Sequence, residues 1–207
     1  MAYKPSDFFI GVIDFFGILV PGATLLFLYR ERLPEALKLH LGSDRATWWA
    51  AFLVGSYVVG HFLLGIGVPL NRLLRFFRPE SKDRFYNEVK QAIKLPPGLR
   101  ENRTDAFYRA YSFVRMNNNP AALAEIERQM ADFKLFRGLT LVFLLDSLFG
   151  YFRQAGPWPR LVSGMLFIVA GWRFLFLLGW TYRITFESYA LLRGSRSDAA
   201  EAIRRDS

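Results

Sequence analysis

Apolar positions in this chain gather in long blocks, and the first block sets the frame. Residues Phe8 to Tyr29, FFIGVIDFFGILVPGATLLFLY, make a run long enough to cross a bilayer as one helix, which takes ~20 residues. A second block runs from Trp48 to about Leu70, its indoles placed where aromatic rings favour the membrane interface. No breaker separates Pro120 from about Phe152, so one helix is expected to begin in polar sequence and enter a third apolar block. A fourth block, Leu161 to Tyr182, follows the turn Gln154-Ala155-Gly156-Pro157-Trp158-Pro159, short enough to make an antiparallel hairpin. Blocks two and four carry small residues suited to close helix packing: Ser56 and Gly60, then Ser163, Gly164, Ala170 and Gly171.

The stretch between blocks two and three is polar but helically patterned. Phe85, Val89 and Ile93 recur every four residues, and Phe107, Tyr111 and Val114 lie about a turn apart. Leu95-Pro96-Pro97-Gly98 is a break, Thr104 is an expected N-cap, and Asn119 caps a helix whose first residue is Pro120. The pattern predicts an all-α, polytopic membrane protein with four transmembrane helices and a helical cytosolic insertion. Residues 1–70 form the first transmembrane hairpin, 71–135 the insertion, 136–182 the second hairpin, and 183–207 a cytosolic C-terminal helix and polar tail.

Charge adds orientation. The formal net charge is +9, and most Lys and Arg fall in 1–7, 70–135 and the tail after Tyr182, all on one side of a four-span arrangement. The positive-inside tendency then makes both termini cytoplasmic. Orientation alone accounts for the basic excess, which argues against nucleic acid as a partner. With no cysteine and only His40 and His61 as imidazoles, the chain lacks the ligands for zinc, di-iron or bis-histidine haem sites. No cofactor is expected, and no nucleophile with a base and an orienting group is visible, so the chain is not read as an enzyme.

Each block also holds one ionisable residue: Asp14, His61, Asp146 and Arg173. Counted at ~1.5 Å per residue from the cytoplasmic ends, all four fall at similar depths, roughly 9 to 15 Å in. Charges there are costly, so an intramembrane polar layer is expected, with Asp146 paired to Arg173, Asp14 near His61, and Tyr57 joining His61. That layer either holds the helices in register or lines a proton or ion path. Gly17 and Pro21 share a face with Asp14 and mark a bend, since Pro21 cannot donate to the Gly17 carbonyl. Arg72, Arg75 and Arg78 follow block two at helical spacing, a pattern for anionic lipid or, secondarily, an anionic ligand.

The run Asp14-Phe15-Phe16-Gly17-Ile18-Leu19-Val20-Pro21-Gly22 resembles the opening of small bacterial four-span membrane proteins found in anti-phage defence modules, of which the Kiwa membrane subunit is an architectural analogue. The resemblance implies a membrane protein that senses or executes damage beside a cytosolic protein. The expected function is therefore an oligomeric inner-membrane sensor or effector, in contact with membrane lipids, homo-oligomeric, and working with a cytosolic protein partner to perturb or gate the membrane. An ion or proton channel or transporter acting alone is the alternative, and a membrane-bound lipid enzyme a third.

Overall fold

The computed structural model describes residues 5–30, 45–76, 103–117, 119–149 and 157–205, with the backbone alone for 5–14, 70–76, 103, 157 and 195–205. The described chain is all-helical: α1 Pro5–Tyr29, α2 Arg45–Phe76, α3 Arg103–Met116, α4 Pro120–Phe149 and α5 Pro157–Arg205. The inter-block loop 31–44, the Pro96-Pro97 break and most of the turn before Pro157 lie outside the described residues.

Two helices are long and apolar enough to cross a membrane, over Arg45–Pro69 and Trp158–Gly194. Only 22% and 28% of their apolar windows are buried, whereas the core helix of a soluble protein would be mostly covered. The exposed residues include Trp49, Val54, Phe62 and Ile66 on α2 and Trp158, Met165, Ile168 and Trp172 on α5. Apolar faces of this extent mark a surface made for lipid or another protein. α1 runs over 25 residues, Pro5–Tyr29, and Phe15–Tyr29, the part whose side chains are described, is apolar. In α4 the apolar part follows the buried Arg137 and is described as far as Phe149.

The chain forms two compact units. The first joins Met1–Phe77 with Met130–Leu177. Here α4 is the hub. It meets α1 where Pro21 lies against Gly138, so that a Cβ on Gly138 would come within 2.6 Å of the Pro21 ring, and where a Cβ on Gly17 would come within 3.1 Å of the Ala131 carbonyl oxygen. These contacts rise together in residue number, so α1 and α4 run parallel. α4 meets α2 through Leu63 with Leu141 and Val142, and through Arg137 against Gly67. It meets α5 through Phe133 with Phe174, Thr140 with Gly171, and Ser147 with Gly164. Both of these series run antiparallel. α1 and α2 pack closest of all: a methyl on Gly22 would overlap the Ser56 carbonyl oxygen, and one on Gly60 would overlap that of Ile18. The Ser56-Gly60 pair thus does what its spacing predicts, letting backbones approach.

Both prolines inside helices stand four residues after a glycine, Gly17 before Pro21 and Gly65 before Pro69. A proline ring crowds the carbonyl four back, and a glycine there gives way most easily. α2 accordingly continues past Pro69 to Phe76, beyond the expected end near Leu70. Hydroxyls in these helices turn back onto their own backbone, Thr24 to Val20 O, Ser56 to Phe52 O and Thr140 to Phe136 O, at 2.8, 2.6 and 2.6 Å. In an apolar setting that leaves no donor stranded.

The second unit gathers Arg78–Gln129 and Leu178–Ser207. Ala106, Phe107, Ala110 and Val114 form the buried stripe of α3. They sit with Ile126 of α4 and Phe186 and Tyr189 of α5 among the buried apolar residues. Phe107 meets Tyr182 at 4.9 Å and Phe113 meets Tyr189 at 4.8 Å, so α3 and this part of α5 run parallel. Asn119 caps α4 as expected, its side chain accepting from the Ala122 amide at 3.2 Å. α3 begins at Arg103, a residue ahead of the expected cap at Thr104. The expected polar tail after Gly194 is instead helical to Arg205.

Candidate functional site

Asp146 is the most deeply buried acid among the described side chains, 1% exposed at the α4–α5 contact. Its carboxylate accepts a hydrogen bond from the Ser163 hydroxyl. The register that follows decides the fate of the expected ion pair. Arg173 stands ten residues beyond Ser163 on α5, about 15 Å along the axis. Its guanidinium lies 5.9 Å from the centre of the Phe136 ring and 5.5 Å from that of Phe176, and the residue is exposed. The Asp146–Arg173 pair is thus replaced by an Asp146–Ser163 hydrogen bond and an arginine held over aromatic faces. The depth count failed because it assumed that each apolar block meets the interface at its cytoplasmic end residue. The packed hairpin is offset from that assumption.

Tyr57 and His61 are brought together as their one-turn spacing predicts, their rings 4.5 Å apart edge to face, and Tyr57 stacks on Phe15 of α1 at 5.3 Å. Both lie on the exposed face of α2. Leu145 and Val59 pack on one cluster, so Asp146 and His61 stand within about a turn of each other in height. They face different ways, Asp146 inward to α5 and His61 outward. One polar layer therefore becomes three separate places: the Asp146–Ser163 contact, the Tyr57–His61 face and the Arg173 aromatic clamp. Asp14 is described only as a backbone position in α1, and Arg72 and Arg75 likewise in the last turns of α2; Arg78 lies outside the described residues. Gly17 and Pro21 are both buried where α1 meets α4, so the bend is a packing surface.

Arg137 is the charged residue that sequence reasoning missed. It is 8% exposed, its aliphatic stem lies on Gly67, and its guanidinium sits 5.6 Å from the Phe133 ring centre. It stands near the start of the third apolar block. The signal that identifies it is the small residue opposite: a side chain at position 67 would fill the space the arginine stem occupies. A buried guanidinium held this way desolvates well because it is weakly hydrated and stacks on rings.

In the second unit the Tyr111 hydroxyl donates to Glu127 Oε1 at 3.0 Å. Burial, and then the hydrogen bond to the adjacent acid, push the Tyr111 phenol above its usual value of 10.0. Among the described residues no three His, Asp or Glu side chains converge as metal ligands. No family model, characterised protein or solved structure matches the chain.

Proposed function

We propose that this chain is a four-span protein of a bacterial inner membrane, both termini cytoplasmic, which acts as a homo-oligomeric sensor or effector with a cytosolic protein partner. The observation that carries the membrane topology is the direction of the helices about α4. α1 runs parallel to it while α2 and α5 run antiparallel, which is the up-down-up-down order that four successive crossings require. The charge rule assigns 71–135 and the residues after Tyr182 to one side, and segments from just these two parts, α3 and the end of α5, pack together through Phe113 and Tyr189.

The effector role rests on the resemblance of the first helix to membrane partners in anti-phage defence modules, and on the second unit as a surface on which a partner would act. The sealed Asp146–Ser163 contact favours a chain that is quiet until triggered over a standing proton path. Purified protein in vesicles carrying an interior ion reporter tests this: no flux is expected from the chain alone. Steady flux abolished by Asp146→Asn would establish the channel reading instead. Topology is read separately by labelling Ser43→Cys and Ser81→Cys in intact spheroplasts with an impermeant maleimide. Only Ser43→Cys should react before lysis.

A further inference from the structure

Helix α2 has two opposed faces. Ser56, Gly60, Leu63 and Gly67 are buried towards α1 and α4. On the other side is an open groove of about 470 Å³ lined by Tyr57, Val58, His61, Phe62, Gly65 and Ile66. Those positions are two neighbouring ridges of one helix, spaced as in the surface into which a second helix packs. A Cβ on Gly65 would meet nothing within 4 Å, so the floor of the groove is open at that turn. Two of the lining groups are ill suited to lipid. His61 stands about 12 Å along the helix from Pro69, well within the candidate span, and its contact among the described residues is the Tyr57 ring. Ionisable groups at such depths face protein or water rather than hydrocarbon.

We propose that a second copy of this chain covers the groove, α2 against α2 about a two-fold axis along the membrane normal, pairing Tyr57 and His61 of each copy with those of the other. The inference rests on the membrane-embedded oligomer proposed above and specifies its interface. Two copies inserted in the same orientation are related only by an axis along the normal, so equivalent residues lie at equal depth and the two α2 helices run parallel. The stripe is chemically self-complementary under that symmetry. A neutral imidazole has one donor and one acceptor nitrogen and a phenol hydroxyl both donates and accepts, so each copy's Tyr57 can donate to the His61 of the second copy. Gly65, a turn further on, lets the two backbones approach. A lipid chain offers none of these partners.

The chain has no cysteine, so a single introduced thiol reports cleanly. Gly65→Cys in the groove and Ile168→Cys on the exposed face of α5 are oxidised in native membrane vesicles, and the wild-type mass is measured in lipid nanodiscs. A covalent homodimer with Gly65→Cys but not with Ile168→Cys, and a dimeric mass, are expected. An oligomeric mass with no Gly65→Cys cross-link, or a cross-link to a different protein, overturns the groove but leaves the oligomer standing. A monomeric mass overturns both. His61→Leu, which keeps an apolar side chain of similar bulk, is expected to weaken dimerisation roughly three- to thirty-fold. Unchanged dimerisation of that variant overturns the polar pairing.

Discussion

Ser163 on α5 donates its hydroxyl hydrogen to the buried Asp146 carboxylate on α4. With Thr140 against Gly171 and Phe133 against Phe174, this contact fixes the hairpin register and sets Arg173 level with Phe136 rather than with the acid. Ser163→Ala takes a hydrogen bond away from a buried carboxylate and should destabilise the fold by about 1–3 kcal/mol. Replacing both partners, in Asp146→Leu with Ser163→Ala, should cost less than the sum of the single changes. Arg173→Ala should stay within about 0.5 kcal/mol of wild type, as exposed positions do. Unfolding in mixed micelles measures wild type, the Ser163→Ala and Asp146→Leu single variants, their double and Arg173→Ala. A large loss from Arg173→Ala would revive the ion pair.

Pro21 sits on Gly138, and the fit leaves no room for a methyl. Gly138→Ala should therefore destabilise the α1–α4 contact by about 1–3 kcal/mol, the usual range for overpacking. Pro21→Ala removes the nearer obstructing atom, the Cγ at 2.6 Å, and restores a backbone donor but keeps the Cβ at 2.8 Å, so the double variant should recover part of the loss. Such rescue is a coupling energy between the two sites, readable from a double-mutant cycle. Strict additivity would show that the two positions do not touch.

How much of this was legible in the sequence depends on which kind of information a residue carries. Helix location was readable because capping and patterning are local: Asn119 caps α4, and Phe107 and Val114 line the buried face of α3 as their spacing requires. The Ser56-Gly60 spacing announced a close approach, and the structure supplies it against Ile18 and Gly22. Register was not readable. Which residue of α4 meets which residue of α5 depends on the offset of the whole hairpin, and a one-turn error moves a partner by about 5.4 Å. The Asp146–Arg173 pair failed on that offset, and Arg137 went unrecognised because its burial depends on the absence of a side chain at Gly67, in another helix.

The glycines divide by what stands beside them. At Gly22 and Gly60 a methyl would collide with backbone, which cannot swing aside as a side chain can: the Gly60 nitrogen lies 2.7 Å from the Cβ position of Gly22, and the Ile18 carbonyl carbon 2.9 Å from that of Gly60. Alanine at either site should separate α1 from α2 and lower the unfolding midpoint in detergent strongly, by upwards of 3 kcal/mol where the helices cannot part. Gly194 has open space around it within α5, so Gly194→Ala should stabilise by roughly 0.5–1 kcal/mol through helix propensity alone. Equal effects at Gly60 and Gly194 would contradict the close approach.

Tyr111 provides the pH-dependent contact. Its phenol is held above 10.0 by burial and by the hydrogen bond to Glu127, so the folded chain keeps that proton more tightly than the unfolded chain does. Where the folded state binds more protons, stability falls as pH rises. The contribution is therefore fully present below pH 10.0, the unfolded value, and is lost as pH climbs through the higher folded value. Tyr111→Phe should remove this dependence and cost about 0.5–1.5 kcal/mol at neutral pH, the net worth of one hydrogen bond. The difference in phenolate absorbance between wild type and Tyr111→Phe isolates the titration of this one tyrosine. Its midpoint should lie above 10.0, and Glu127→Gln should move it back down by removing the adjacent carboxylate. A midpoint at or below the ordinary value would mean that the hydroxyl is open to water and that α3 and α4 are not joined there.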